Sequence, residues 1–150
     1  MSGMTRPEVT FFAIPKPFQG RFADIQQNAI ESWAHVVGAE NVVLIGDDAG
    51  VAEAAAAIGA HHISPVARNE FGTPLLDAAF AAAHGFASQG LLCYVNADIV
   101  MTPRLLDVAA AVVARARSFV VVGDSMDAKV ESRLAFGKDW AGQEIGRAHV

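Results

Sequence analysis

Val42-Val43-Leu44-Ile45-Gly46-Asp47-Asp48-Ala49-Gly50 is the stretch on which the fold turns. Its first four residues are apolar and mostly β-branched, with no polar face, the pattern of a short strand covered on both sides. Glycine and two aspartates then break the run with turn chemistry. Val51 to Ile58 comes next as a helix that stops at Gly59. Strand, turn and helix in that order make half of a βαβ unit.

The same grammar extends in both directions. Met1 to Pro7 is a loose start, and Val9-Thr10-Phe11-Phe12-Ala13-Ile14 is a strand stopped by Pro15-Lys16-Pro17. From Asp24 to Val37, apolar residues at Ile25, Ala29, Ile30, Trp33, Val36 and Val37 have helical spacing, and Gly38 ends the helix. Gln26, Gln27, Glu31 and His35 are available for its other face. Downstream, His61-His62-Ile63 is a short third strand. Arg68-Asn69-Glu70-Phe71-Gly72 is a polar connection, and Thr73-Pro74 predicts a helix N-cap and first turn. After Gly90, Leu91-Leu92-Cys93-Tyr94-Val95 reads as a central parallel strand, Thr102-Pro103 opens another helix, and Phe119-Val120-Val121-Val122 is the last strand. Strands and helices alternating in this way imply right-handed crossovers and a mostly parallel, Rossmann-like α/β sheet flanked by helices.

Composition narrows the function. The chain has 150 residues, 53% hydrophobic and 18% charged, a globular balance that suits one domain or most of one. A net charge of −5 argues against nucleic acid or an anionic membrane surface as partner. No apolar run reaches the length of a membrane span and no signal peptide is visible, so a cytoplasmic protein is expected. The single cysteine, Cys93, excludes a disulfide framework and reads as an inert buried thiol. Motifs for a P-loop, a dinucleotide fingerprint and a nucleophile elbow are missing.

In an open parallel sheet, ligands sit outside the carboxyl ends of the strands. The residues just past each strand are Pro15 and Lys16, then Asp47 and Asp48, then Arg68, Asn69, Gly72 and Thr73, then Asn96 and Asp98. A nucleoside-diphosphate sugar needs that inventory: acceptors for base and ribose from Asp47 or Asp48, and charge-assisted bonds from Lys16 or Arg68. It also needs a divalent metal, Mg²⁺ or Mn²⁺, held by a carboxylate, for which Asp98 is the candidate. Each has a plainer reading. Asp47 and Asp48 can cap the helix at Val51, Asp98 can be a turn residue, and Arg68 can form a surface ion pair. His61 and His62 face opposite sides of a strand and cannot readily share a metal; His35 and His84 lie on predicted helices without a second ligand one turn on.

Taken together, three blocks resemble a GT-A-type glycosyltransferase-like family. The first is Thr10-Phe11-Phe12-Ala13-Ile14-Pro15-Lys16-Pro17-Phe18 with Ile25-Gln26 and Ala29-Ile30-Glu31-Ser32-Trp33. The second is Leu44-Ile45-Gly46-Asp47 with Gly50-Val51-Ala52-Glu53 and Arg68 to Leu75. The third is Leu92-Cys93-Tyr94-Val95-Asn96-Ala97-Asp98-Ile99. The resemblance implies a nucleotide-diphospho-sugar transferase fold, with Asn96-Ala97-Asp98 in the place of the DxD motif and Asp98 as metal ligand. Asn96, uncharged, stands where many such enzymes have the first aspartate. The resemblance also puts Asp47 near the base and Arg68 to Thr73 near the ribose or diphosphate. The acceptor is unknown, and no catalytic base is named, because in such domains it comes from a later half. Two other readings are a sugar-phosphate nucleotidyltransferase and a non-catalytic nucleotide-sugar-binding module. Pro15-Lys16-Pro17, in place of a glycine-rich loop, counts against the nucleotidyltransferase.

The expected organisation is therefore a nucleotide-sugar-binding half-domain over 8–143 and a non-native tail over 144–150. Ile145-Gly146-Arg147-Ala148-His149-Val150 is what ATC GGA AGA GCA CAC GTC encodes, a common short-read sequencing adapter followed by a stop codon, so His149 enters no metal-site argument. Resequencing the source DNA tests this expectation, and native codons at these positions overturn it.

Overall fold

The computed structural model describes residues 5–87, 89–137 and 140–142; the expected tail at 144–150 lies outside them. The chain runs β1 (Val9–Ala13), α1 (Arg21–Val37), β2 (Val42–Ile45), α2 (Val51–Ile58), β3 (His61–Ile63), α3 (Leu76–Phe86), β4 (Leu91–Tyr94) and α4 (Arg104–Val113). Short 3₁₀ turns occur at Ala39–Asn41 and Trp140–Gly142. All pairings are parallel and the strand order is β3-β2-β1-β4. The fold is thus an α/β sheet of Rossmann-like order with helices on both faces. Among the described residues no helix is long and apolar enough to cross a membrane.

Strand alternation divides the core in two. Val9, Phe11 and Ala13 of β1 and Val42 and Leu44 of β2 point to the face covered by α1, α2 and α4, where they meet Ile30, Trp33, Val51 and Ala54. Phe12, Val43 and Ile45 point to the opposite face and meet Ala79 and Ala83 of α3. Phe12 also contacts Phe80 edge-on at 4.8 Å and Tyr94 at 5.5 Å. The continuously apolar β1 and β2 runs thus feed two layers at once, as strands covered on both sides must.

Several sequence expectations change, and one of two readings of Asp47 and Asp48 falls. Leu91–Tyr94 is an edge strand, half-buried throughout, because its far side has no partner among the described residues. Phe119–Val122 forms no strand; Val120 and Val122 are 89% and 87% exposed. Thr73 and Pro74 do not start α3. Pro74 instead bridges Arg68 in an antiparallel pair, the Leu75 N–H donates to the Ala67 carbonyl, and the helix begins at Leu76 without a side-chain cap. Asp47 and Asp48 do not cap α2. Gly50, in the left-handed conformation at φ 83°, takes that position, and a Cβ there would lie 2.8 Å from that of Phe18.

Candidate functional site

Because every strand is parallel, the four segments after them leave the sheet along one rim. The order β3-β2-β1-β4 reverses direction between β1 and β4, which makes the Ile14–Pro17 and Val95–Asp98 connections the two sides of the switch-point crevice. Arg68 leaves from the far strand, about 14 Å across the sheet from the β4 edge at ordinary strand spacing.

On the β1 side, Pro15 is buried and Lys16 exposed. The backbone of Lys16 is clamped by one side chain: its N–H donates to Gln26 Oε1 (2.7 Å), and Gln26 Nε2 donates to its carbonyl (2.9 Å). The ammonium of Lys16 lies 5.2 Å from the centroid of the Phe22 ring. The loop is also tied to the next one, through the Phe18 N–H and the Ala49 carbonyl at 2.8 Å. Its polarity predicts Gln26 on the open face of α1, yet it is buried. Its spacing with Ile30 and Trp33, four and seven residues on, puts it on the apolar stripe; a polar residue there is the signal that marks it.

On the β4 side, the Ile99 N–H donates to the Asn96 carbonyl at 3.1 Å, closing a turn that leaves Asn96 and Asp98 exposed and Ala97 buried. Two side chains of α1 fix the backbone just beyond this turn. Trp33 Nε1 donates to the Ile99 carbonyl (2.8 Å), and the Met101 N–H donates to Ser32 Oγ (3.0 Å), whose own hydroxyl donates to the Ala29 carbonyl (2.6 Å). Trp33 is therefore both core and clamp, a role its apolar spacing alone does not reveal. Asp98 makes no hydrogen bond or ion pair among the described residues. Its charge, after burial, is the second cause that raises the Tyr94 phenol above its ordinary range.

On the β2–β3 side the expected residues meet one another. Arg68 Nη2 donates to Asp47 Oδ1 at 2.9 Å and lies 3.8 Å from Asp48 Oδ1, while its Nη1 donates to the Gly72 carbonyl at 2.9 Å. Asn69 Oδ1 accepts from the Phe71 and Thr73 N–H groups (3.0 and 2.9 Å), so the Arg68–Pro74 hairpin is rigidly built and presents Phe71 to solvent. The guanidinium is committed to this acidic pair, and a diphosphate would have to compete for it. His62 Nε2 sits 2.7 Å from the Gly46 carbonyl, a contact that ties β3 to the turn after β2.

The rim is thus three pieces: an exposed Asn96/Asp98 turn, a clamped Lys16, and a paired Asp47/Asp48/Arg68 cluster. Among the described residues no group of three or more histidine, cysteine, aspartate or glutamate side chains is placed to hold a metal ion. A cation here would rest on Asp98 and take its remaining ligands from a diphosphate and water, a mode that Mg²⁺ commonly accepts. A shallow hollow of about 430 Å³ on α4, lined by Arg104, Asp107, Val108 and Ala111, shares no residue with the rim. Comparison with protein-family models, with curated proteins and with solved structures finds no match for this chain.

Proposed function

We propose that this chain carries the nucleotide-sugar-binding part of a glycosyltransferase-like protein of GT-A type, which moves a sugar from a nucleoside diphosphate to an acceptor. The observation that carries the reading is the Asn96–Asp98 turn. It stands at the switch-point crevice of a parallel sheet, holds an exposed carboxylate with no partner among the described residues, and is braced from behind by Trp33 and Ser32. Asp98 would hold the divalent metal, Mg²⁺ or Mn²⁺, whose chemistry is to neutralise the charge that develops on the leaving diphosphate. Lys16 sits across the crevice, and Asp47 and Asp48 offer acceptors to ribose or base.

A second reading, a binding module without turnover, is favoured by the neutral Asn96 and by the lack of a three-ligand group among the described residues. Titration calorimetry with uridine and guanosine diphosphate sugars, with and without Mn²⁺, separates the two. Metal-dependent binding with slow donor hydrolysis supports the transferase, and binding without turnover supports the module. If no sugar nucleotide binds while a nicotinamide dinucleotide does, both readings fall.

A further inference from the structure

Among the described residues the sheet ends in β3 on one side and in β4 on the other, and β4 is the longer and more apolar of these two edges. The Leu91 N–H donates to the Glu8 carbonyl (2.8 Å) and the Val95 N–H to the Phe12 carbonyl (3.1 Å), so alternate residues of β4 face β1. By the same alternation, Leu92 and Tyr94 turn their N–H and C=O groups to the free edge, where an apolar strand without partners is a template for another. Past β4 the chain makes α4, a short connection over 114–118, and then Phe119-Val120-Val121-Val122. That segment matches β4 in length, is strongly β-forming, and leaves its three valines exposed. A helix followed by a short connection is the crossover that joins neighbouring parallel strands, and such crossovers return the chain beside the strand it left.

We propose that the free edge of β4 is the seat of Phe119–Val122, which adds to it as a fifth parallel strand in an arrangement alternative to the exposed one. The addition satisfies the outward groups of Leu92 and Tyr94 and covers apolar surface that otherwise faces water. It also has a consequence for the rim. A parallel strand ending at Val122 delivers Gly123-Asp124 to the same edge as Asn96-Ala97-Asp98, so a second carboxylate arrives beside the neutral Asn96. The pairing itself does not depend on the function proposed for the rim.

Amide hydrogen exchange on the whole chain, followed by NMR, tests it in the parent and in Val120→Pro and Val121→Pro. Neighbouring strand residues point their N–H groups in opposite directions, so one of the two prolines must remove a donor aimed at β4. The expected result is that Leu92 and Tyr94 exchange at least about tenfold more slowly in the parent than in that variant. Leu91 and Cys93, paired to β1, stay protected throughout and report that the fold is intact. The proposal is overturned if Leu92 and Tyr94 are unprotected in the parent, or if neither proline alters their protection. It is equally overturned if protection grows with protein concentration, which would mean that a second copy covers the edge.

Discussion

Val42–Ile45 and Phe119–Val122 are both runs of four apolar, mostly β-branched residues, yet one is fully buried and the other is exposed over its three valines. The difference lies in their surroundings. Val42–Ile45 has β1 on one edge, β3 on the other, α1 and α2 over one face and α3 behind the other. Phe119–Val122 has no strand partner among the described residues. Between these extremes sits β4, paired on one edge only and half-buried. An apolar run therefore declares a preference for extended backbone, while burial depends on what the rest of the chain brings to its edges and faces.

The contrast can be broken first at its buried end. Trp33→Ala removes a fully buried side chain and the donor that holds the Ile99 carbonyl, and is expected to cost about 3–5 kcal/mol in denaturant unfolding. A loss below about 1 kcal/mol, the range of exposed surface changes, would mean that the α1–β1–β2 layer is not the cooperative core. Next comes the start of the β1–β4 pairing. Gly90 enters β4 at φ 84°, and an added Cβ would lie 2.6 Å from the Glu8 carbonyl oxygen. Gly90→Ala should cost about 2–3 kcal/mol and loosen the amides of β4 before those of β2. Gly72→Ala is the milder control, since it shares the positive φ but meets no neighbouring atom.

A smaller effect is expected where the late segment is fastened to the core. Asn28, buried on α1, donates to the Ser132 carbonyl and accepts from the Leu134 N–H, both at 2.9 Å. Arg133 reinforces the strap through Glu31. Asn28→Ala should cost about 1–2 kcal/mol, because the orphaned backbone groups are only partly buried. Limited proteolysis near residue 130 should then speed up while β1 and β2 stay intact.

The most modest effect concerns pH. Burial on β4 pushes the Cys93 thiol up to about 11. In the unfolded chain the thiol ionises near 9, so the folded state, which keeps its proton longer, loses stability as pH rises from about 9 toward 11. Below 9 there is no effect. Unfolding midpoints at pH 8 and pH 10 in the parent and in Cys93→Ala measure it: the parent should lose more than the variant. The half-exposed setting of β4 keeps the difference below those of the three substitutions at Trp33, Gly90 and Asn28.

The legible part of the fold was the part with local cause. Val42–Ile45 coincides with its sequence expectation because a continuous apolar run closed by Gly46 leaves little alternative, Val51–Ile58 because Gly50 and Gly59 bound it, and His61–Ile63 because Gly59 and Pro65 leave room only for a short extended piece. The start of α3 was not legible. Thr73-Pro74 has good capping chemistry, but Arg68 and Asn69 fold the segment into a hairpin and carry the helix start to Leu76. Edge status was also hidden, since Leu91–Tyr94 is as apolar as a central strand and only its neighbours decide its exposure. At the rim, strand order placed Lys16, Asp47, Arg68 and Asp98 after the carboxyl ends of parallel strands, as read from sequence. The clamps behind them, Gln26 and Ser32, were missed because a polar residue on a helix is ordinarily read as solvent-facing.

The most direct test of the proposed cation site is paramagnetic broadening by Mn²⁺ in the presence of a uridine or guanosine diphosphate. If Asp98 shares the cation with the diphosphate at the β1–β4 crevice, the amide signals of Ala97, Asp98 and Lys16 disappear first. Those of the Arg68–Thr73 hairpin outlast them, and Asp98→Asn raises the Mn²⁺ needed by about tenfold or more, the scale of one lost charge-assisted contact. Broadening centred on another part of the chain, or unchanged in Asp98→Asn, would contradict the account.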